Sequence, residues 1–145
     1  MKKMLLVLVV VFLLVANQSY AGIWEESYGA STGMALYNSQ MILGMASDAK
    51  VKKVYTDNEI KDIVSGQKNG LKTINNIANK LFISKNISND DRAVIAEIFV
   101  CIEKLNATAD SLLNYVSNPT NKAAVDFDKK YKESDTAIDK LLGIK

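Results

Sequence analysis

Hydrophobic residues recur at three- and four-residue steps along most of this chain, most regularly between Asn89 and Val116. There Ile95, Ile98, Phe99, Ile102, Leu105, Ala109, Leu112 and Val116 fall on one stripe of a helix at about 100° per residue. Glu97, Lys104, Ser111 and Asn114 take the far side. A stripe of this kind has to be buried against something, and three other segments with the same period are available. The pattern therefore predicts four helices, at about 31–54, 57–85, 89–116 and 119–142.

The boundaries have local causes. Thr56-Asp57-Asn58-Glu59 is a capping box, in which a threonine hydroxyl and a glutamate three residues later satisfy free backbone donors. The apolar positions Ile60, Ile63, Val64, Leu71, Ile74, Ile77, Ala78 and Leu81 then hold one phase. Ser65-Gly66 and Asn69-Gly70 interrupt this run, at about 1 kcal/mol per mid-helix glycine. Since the phase survives them, one continuous helix with a weak or bent middle is expected, its glycines packed closely against those of the first helix. Ser88 or Asn89 caps the third helix, with Asp90 and Asp91 favourable at its positive end. Asn118 reads as the next N-cap and Pro119 as the first helical residue. In the last helix Ala123, Ala124, Phe127, Tyr131, Ile138 and Leu141 form the apolar face. There is no strand-like alternation and no internal repeat. The fold class is all-α: an antiparallel up-down-up-down four-helix bundle, one domain over residues 31–145.

The start of the chain follows different rules. Lys2-Lys3 precedes the unbroken apolar run Met4–Ala16, and small residues stand at Ser19 and Ala21. These are the three parts of a secretory signal peptide, 1–21, cleaved after Ala21. The run is short of the roughly 20 apolar residues of a bilayer-spanning helix. Residues 22–30, with Trp24 and Tyr28, show no period and read as a flexible lead-in. The protein is expected to be exported, to a bacterial periplasm or the extracellular space. A bacterial source fits the basic residues, all lysine except Arg92.

Charge then excludes a class of function. The chain has 18 basic and 16 acidic side chains, and Lys2 and Lys3 account for the excess. Without the leader the formal charge is zero, so no basic surplus is left to displace counterions from phosphates. Lys129-Lys130-Tyr131-Lys132 is flanked by Asp126, Asp128 and Glu133 and reads as a solvated helix face. No nucleic-acid partner is expected.

The chemistry on offer is sparse. There is no histidine, which removes His-dependent triads, His-ligated haem, most zinc sites and the Glu-x-x-His pairs of di-iron bundles. Cys101 is the one cysteine, so no intramolecular disulfide forms, and it reads as a free buried thiol without a base to activate it. Asp126-x-Asp128 begins like a calcium loop, but Tyr131 and Ala137 stand where glycine and the closing acid belong. Asp135 and Asp139 are one turn apart, a commonplace spacing for exposed acids. No catalytic residue, cofactor or metal ligand is assigned, and no enzyme is expected.

The distinctive stretch is Ser27–Ser47, which has no charged residue and holds Met34, Met41 and Met45 beside Gly29, Gly33 and Gly44. Asn38-Ser39-Gln40 at its middle argues against a membrane span. It is expected to be a first helix buried on more of its circumference than the others. The rival reading is an adaptable methionine-rich contact surface. On that reading Trp24, Tyr28, Met34, Tyr37, Met41 and Met45 bind an envelope or secreted protein partner, or a second copy of the chain. The function expected is thus a non-enzymatic interaction or envelope accessory module. The alternative is a binding module for a small apolar or aromatic ligand held between the helices, where Gly66 and Gly70 loosen the packing.

Overall fold

Caps written into the sequence decide where each helix begins and ends. The computed structural model describes residues 28–144, which form four α-helices and, among the described residues, no strand. The chain groups into Met1–Ser31 and Thr32–Lys145. Of the first group only residues 28–31 are described, as the opening turn of a helix, so the account below concerns the second. The helices are α1 (28–51), α2 (Asp57–Phe82), α3 (Asn89–Ser117) and α4 (Asn121–Leu142). They make an all-α helical bundle. Among the described residues no helix is long and apolar enough to cross a membrane. The expected leader and Trp24 lie outside the described residues.

α1 starts earlier than its pattern predicts, so residues 28–30 of the expected lead-in are helical. It ends earlier than 54 because Lys53 takes a left-handed φ of 56°, with the Val54 N–H returning to the Ala49 carbonyl. At the start of α2 the capping box forms: the Thr56 N–H donates to Glu59 Oε2 (2.7 Å) and the Glu59 N–H to Thr56 Oγ1 (3.3 Å). The Thr56 N–H and the Thr56 hydroxyl (2.8 Å), both donating to Glu59 Oε2, hold the Glu59 carboxyl below its ordinary range. The end of α2 at Phe82, rather than 85, is set by Arg92. Its guanidinium donates to the Phe82 (2.6 Å) and Ser84 (2.8 Å) carbonyls and sits 5.7 Å from the Phe82 ring. The only arginine of the chain thus closes one helix while standing on the next.

Ser88 caps α3, accepting the Asp91 N–H at 3.0 Å. The expected cap of α4 is shifted. Thr120, not Asn118, accepts from the first turn, its hydroxyl 3.2 Å from the Ala123 nitrogen, and the helix starts at Asn121. Asn118 instead terminates α3, its N–H bonded to the Asn114 carbonyl at 2.8 Å, and Pro119 lies between the two helices. Gly143, left-handed at φ 66°, closes α4.

α3 packs against both α2 and α4, which do not pack against each other. Its apolar stripe is buried as the period predicts through Ile95, Ile98, Ile102, Leu105, Ala109, Leu112 and Val116, while Phe99, at the edge of the stripe, is only half-buried. Burying a side chain of this size is worth about 1.5–3 kcal/mol. Ser111, read as solvent-facing, is buried as well, donating to the Thr108 carbonyl at 2.8 Å. Contacts from α3 to α4 run Glu97–Lys140, Cys101–Ala137, Lys104–Glu133 and Thr108–Lys130. Between α1 and α4 they run Gly33–Leu142, Gln40–Ser134 and Gly44–Tyr131.

A polar cluster joins α1, α3 and α4. Gln40 is 1 % exposed; its Nε2 donates to the Tyr131 carbonyl (2.9 Å) and its Oε1 accepts from Ser134 Oγ (2.6 Å). Ser134 lies 3.0 Å from Thr108 Oγ1, which also reaches the Lys104 and Lys130 carbonyls at 3.0 and 2.9 Å. Every polar atom of the cluster has a partner, the condition under which buried polar groups can be tolerated.

The glycines do not act as the sequence leads one to expect. α2 is continuous, but a Cβ at Gly66 or Gly70 would meet nothing within 4 Å, so neither lies against α1. The helix persists through them because Ile60, Val64, Leu71 and Ala78 are buried on its other side. The close approaches belong to α1 and α4. A Cβ at Gly33 would stand 2.7 Å from Leu142 Cδ2, and one at Gly44 would stand 2.7 Å from the Tyr131 hydroxyl and 3.0 Å from its ring. Gly29 meets nothing, so Gly29 and Gly33 do not form a two-glycine seam. Opposite outcomes of one substitution follow. Gly66→Ala and Gly70→Ala should each stabilise by about 0.5–1 kcal/mol, and Gly44→Ala should destabilise by about 1–3 kcal/mol. Urea unfolding checks both signs.

Candidate functional site

The groove between α1 and α4 arises from one helical face on each side. On α1 the buried stripe includes Leu36, Gln40, Leu43 and Ala46. Beside it and away from the core run Met34, Tyr37, Met41 and Met45, at the three-, four- and seven-residue spacings that align side chains along a helix. On α4 the matching row is Ala124, Asp128, Tyr131, Asp135, Asp139 and Leu142. Gly44 lets Tyr131 lie against α1, and the two helices carry two open hollows, the first of them lined by this ring.

The first hollow, about 520 Å³, is lined from α1 by Met41, Met45 and Asp48 and from α4 by Phe127, Asp128 and Tyr131, with Tyr115 of α3 at one end. The second, about 420 Å³, holds Met34 and Tyr37 against Asp135, Asp139 and Leu142. Phe127 and Tyr131 stack at a tilt, ring centres 5.8 Å apart. The lining is thus methionine and aromatic, with aspartate as its charged residue type and no lysine or arginine. Burial pushes the Tyr131 phenol above its ordinary value, and the negative charges of Asp135 and Asp48 act in the same direction.

The structure brings four of the six sequence-selected residues together. Met34, Tyr37, Met41 and Met45 share this face, and the three methionines are exposed by 54, 44 and 66 %. The expectation that α1 is buried on more of its circumference than the other helices holds against α2 and α4 but not against α3, which is buried to a similar extent. The core-facing arc of α1 is satisfied by α4 and the polar cluster, which leaves the methionine arc facing water. Tyr28 belongs to the Met1–Ser31 group and is half-buried, and Trp24 is not among the described residues. The sequence reading missed the contribution of α4. Its signal was present in Ala124, Asp128, Tyr131, Asp135 and Leu142, which repeat at the same spacings as the α1 row.

Other chemistry is confined. Among the described residues no group of three or more acids or cysteines could hold a metal ion. Cys101 is free and buried, 1 % exposed, and donates to the Ala137 carbonyl at 3.3 Å. Burial, with Glu97 adding and Lys140 opposing, pushes the thiol up to about 11. A thiol reagent at pH 8 should therefore leave the folded protein unmodified and react fully once it is denatured. The unfolded chain releases this proton near the ordinary 9.0 while the folded chain keeps it. Stability from this group is complete below pH 9 and falls as pH rises toward 11; reaction with a chromogenic disulfide and unfolding across that window check both statements. No protein-family model, no curated protein and no solved structure matches the chain.

Proposed function

We propose that the chain is an exported, non-enzymatic interaction module of a bacterial envelope or secretome, which engages a protein partner through the α1–α4 groove. The observation that carries this reading is the row Met34, Met41 and Met45, exposed on a segment with no charge between Ser27 and Ser47. Apolar side chains gathered on one outward face lose free energy in water unless something covers them. Methionine is suited to such covering because its unbranched, polarisable side chain adapts to different shapes. Export is supported by the leader pattern of Lys2-Lys3 and Met4–Ala16. An antiparallel up-down-up-down order is supported by the contact pairs, in which numbers rise on one helix as they fall on its neighbour.

The alternative, a small apolar ligand held between the helices, loses the support of Gly66 and Gly70, since both are exposed on α2. What supports it now is the aromatic-lined hollow of about 520 Å³.

Met41→Lys and Met45→Lys place charge on the exposed arc and should leave the far-UV circular dichroism and the urea midpoint within about 0.5 kcal/mol of the parent. Each should abolish co-purification of the partner from cross-linked cells of the native host. Capture unchanged in both folded variants would contradict the proposal.

A further inference from the structure

The groove differs from an ordinary apolar patch in the sign of its charge. Asp48 and Asp128 line one hollow and Asp135 and Asp139 the other, and no basic side chain lines either. Lys52 and Lys132 pair with Asp48 and Asp128 (3.7 and 2.7 Å), but both are long, largely exposed side chains that do not line the hollows. Such exposed pairs are weak and easily exchanged for a better partner. The hollow between α2 and α3 contrasts with this one, since Lys68 and Lys72 line it beside Glu103. Acidic lining is therefore a property of the methionine face and not of the whole surface.

Geometry narrows the occupant further. Met34 and Val51 mark the ends of the two hollows along α1, a span of about 25 Å, which is the length of a helix of about 17 residues. Two successive hollows, one at Met41 and Met45 and one at Met34 and Tyr37, provide two places for large apolar anchors on one side of such a helix. Basic residues on its flanks would meet Asp48, Asp128 and Asp135, the solvent-accessible acids of the lining, which raises the association rate and rejects acidic competitors.

Resting on the interaction-module reading above, we infer that the α1–α4 groove binds a cationic amphipathic helix, its apolar anchors in the two methionine-lined hollows and its lysines or arginines against Asp48, Asp128 and Asp135. Lysine-rich helices with a leucine face are thus distinguished from glutamate-rich helices of identical apolar pattern by charge alone.

The test uses fluorescein-labelled 18-residue peptides of leucine and lysine, or of leucine and glutamate, titrated by anisotropy with protein expressed from the complete coding sequence. The lysine peptide should bind, weakening steeply between 50 and 300 mM salt, and the glutamate peptide should bind at least about tenfold more weakly. Replacing Asp48, Asp128 and Asp135 together by Asn should weaken the lysine peptide about tenfold while leaving the fold intact, since all three are accessible to solvent. Met41→Lys should weaken it further. Equal binding of both peptides, or no change on removing the three acids, would overturn the inference while leaving the groove as a docking face. Absence of binding by either peptide, in a protein that still captures its partner from the host through Met41, would also overturn it and leave the interaction-module reading standing.

Discussion

The contact among Gln40, Ser134 and Thr108 is the constraint on which the arrangement of α1 depends. A primary amide at 1 % exposure is costly unless its donor and acceptor are both met, and here they are met by the Tyr131 carbonyl and the Ser134 hydroxyl. Apolar contacts alone would let an uncharged helix rotate or slide on α4 with little penalty. The amide removes that freedom, because a turn of α1 by one residue would leave its own donor and acceptor buried without these partners, while the Ser134 hydroxyl would keep the Tyr131 carbonyl at 2.9 Å. Thr108 extends the constraint to α3, which already holds α2 through its apolar stripe.

Fixing α1 in rotation has two consequences on its other faces. Gly44 comes under Tyr131, so the ring lies against α1 where any larger residue would push it away. Met34, Met41 and Met45 then point outward, beside a row of aspartates supplied mainly by α4. The exposed methionine face is thus made by the interior: a buried hydrogen-bond network selects which arc of an almost featureless helix meets solvent. This also explains how a segment so rich in methionine and glycine is kept in one register.

Much of the architecture was legible from local rules. The stripe from Ile95 to Val116, the capping box at Thr56 and Glu59, and the continuity of α2 follow from period and caps, because they depend on residues within a few positions of each other. The structure departs from these rules where a residue further along the chain or a competing nearby cap decides. Arg92 ends α2 from the following helix, and Thr120 takes the cap that Asn118 seemed suited for. Gly66 and Gly70 read as close-packing glycines, whereas the close approaches are made at Gly33 and Gly44, against α4. The site was half legible: the charge gap marked α1, but the partner row on α4 looks like an ordinary solvated face until Gln40 fixes which face of α4 α1 meets. Gln40 itself read as evidence against a membrane span, when its weight lies in the core.

The most direct measurement is a double-mutant cycle in urea between Gln40→Leu and Ser134→Ala. If the two side chains depend on each other, each single change should destabilise, Ser134→Ala by about 1–3 kcal/mol because it strands the buried Gln40 Oε1, and the double variant should cost at least about 1 kcal/mol less than the two together. Strictly additive losses would mean that Gln40 and Ser134 are satisfied independently, and that the amide does not set the rotation of α1.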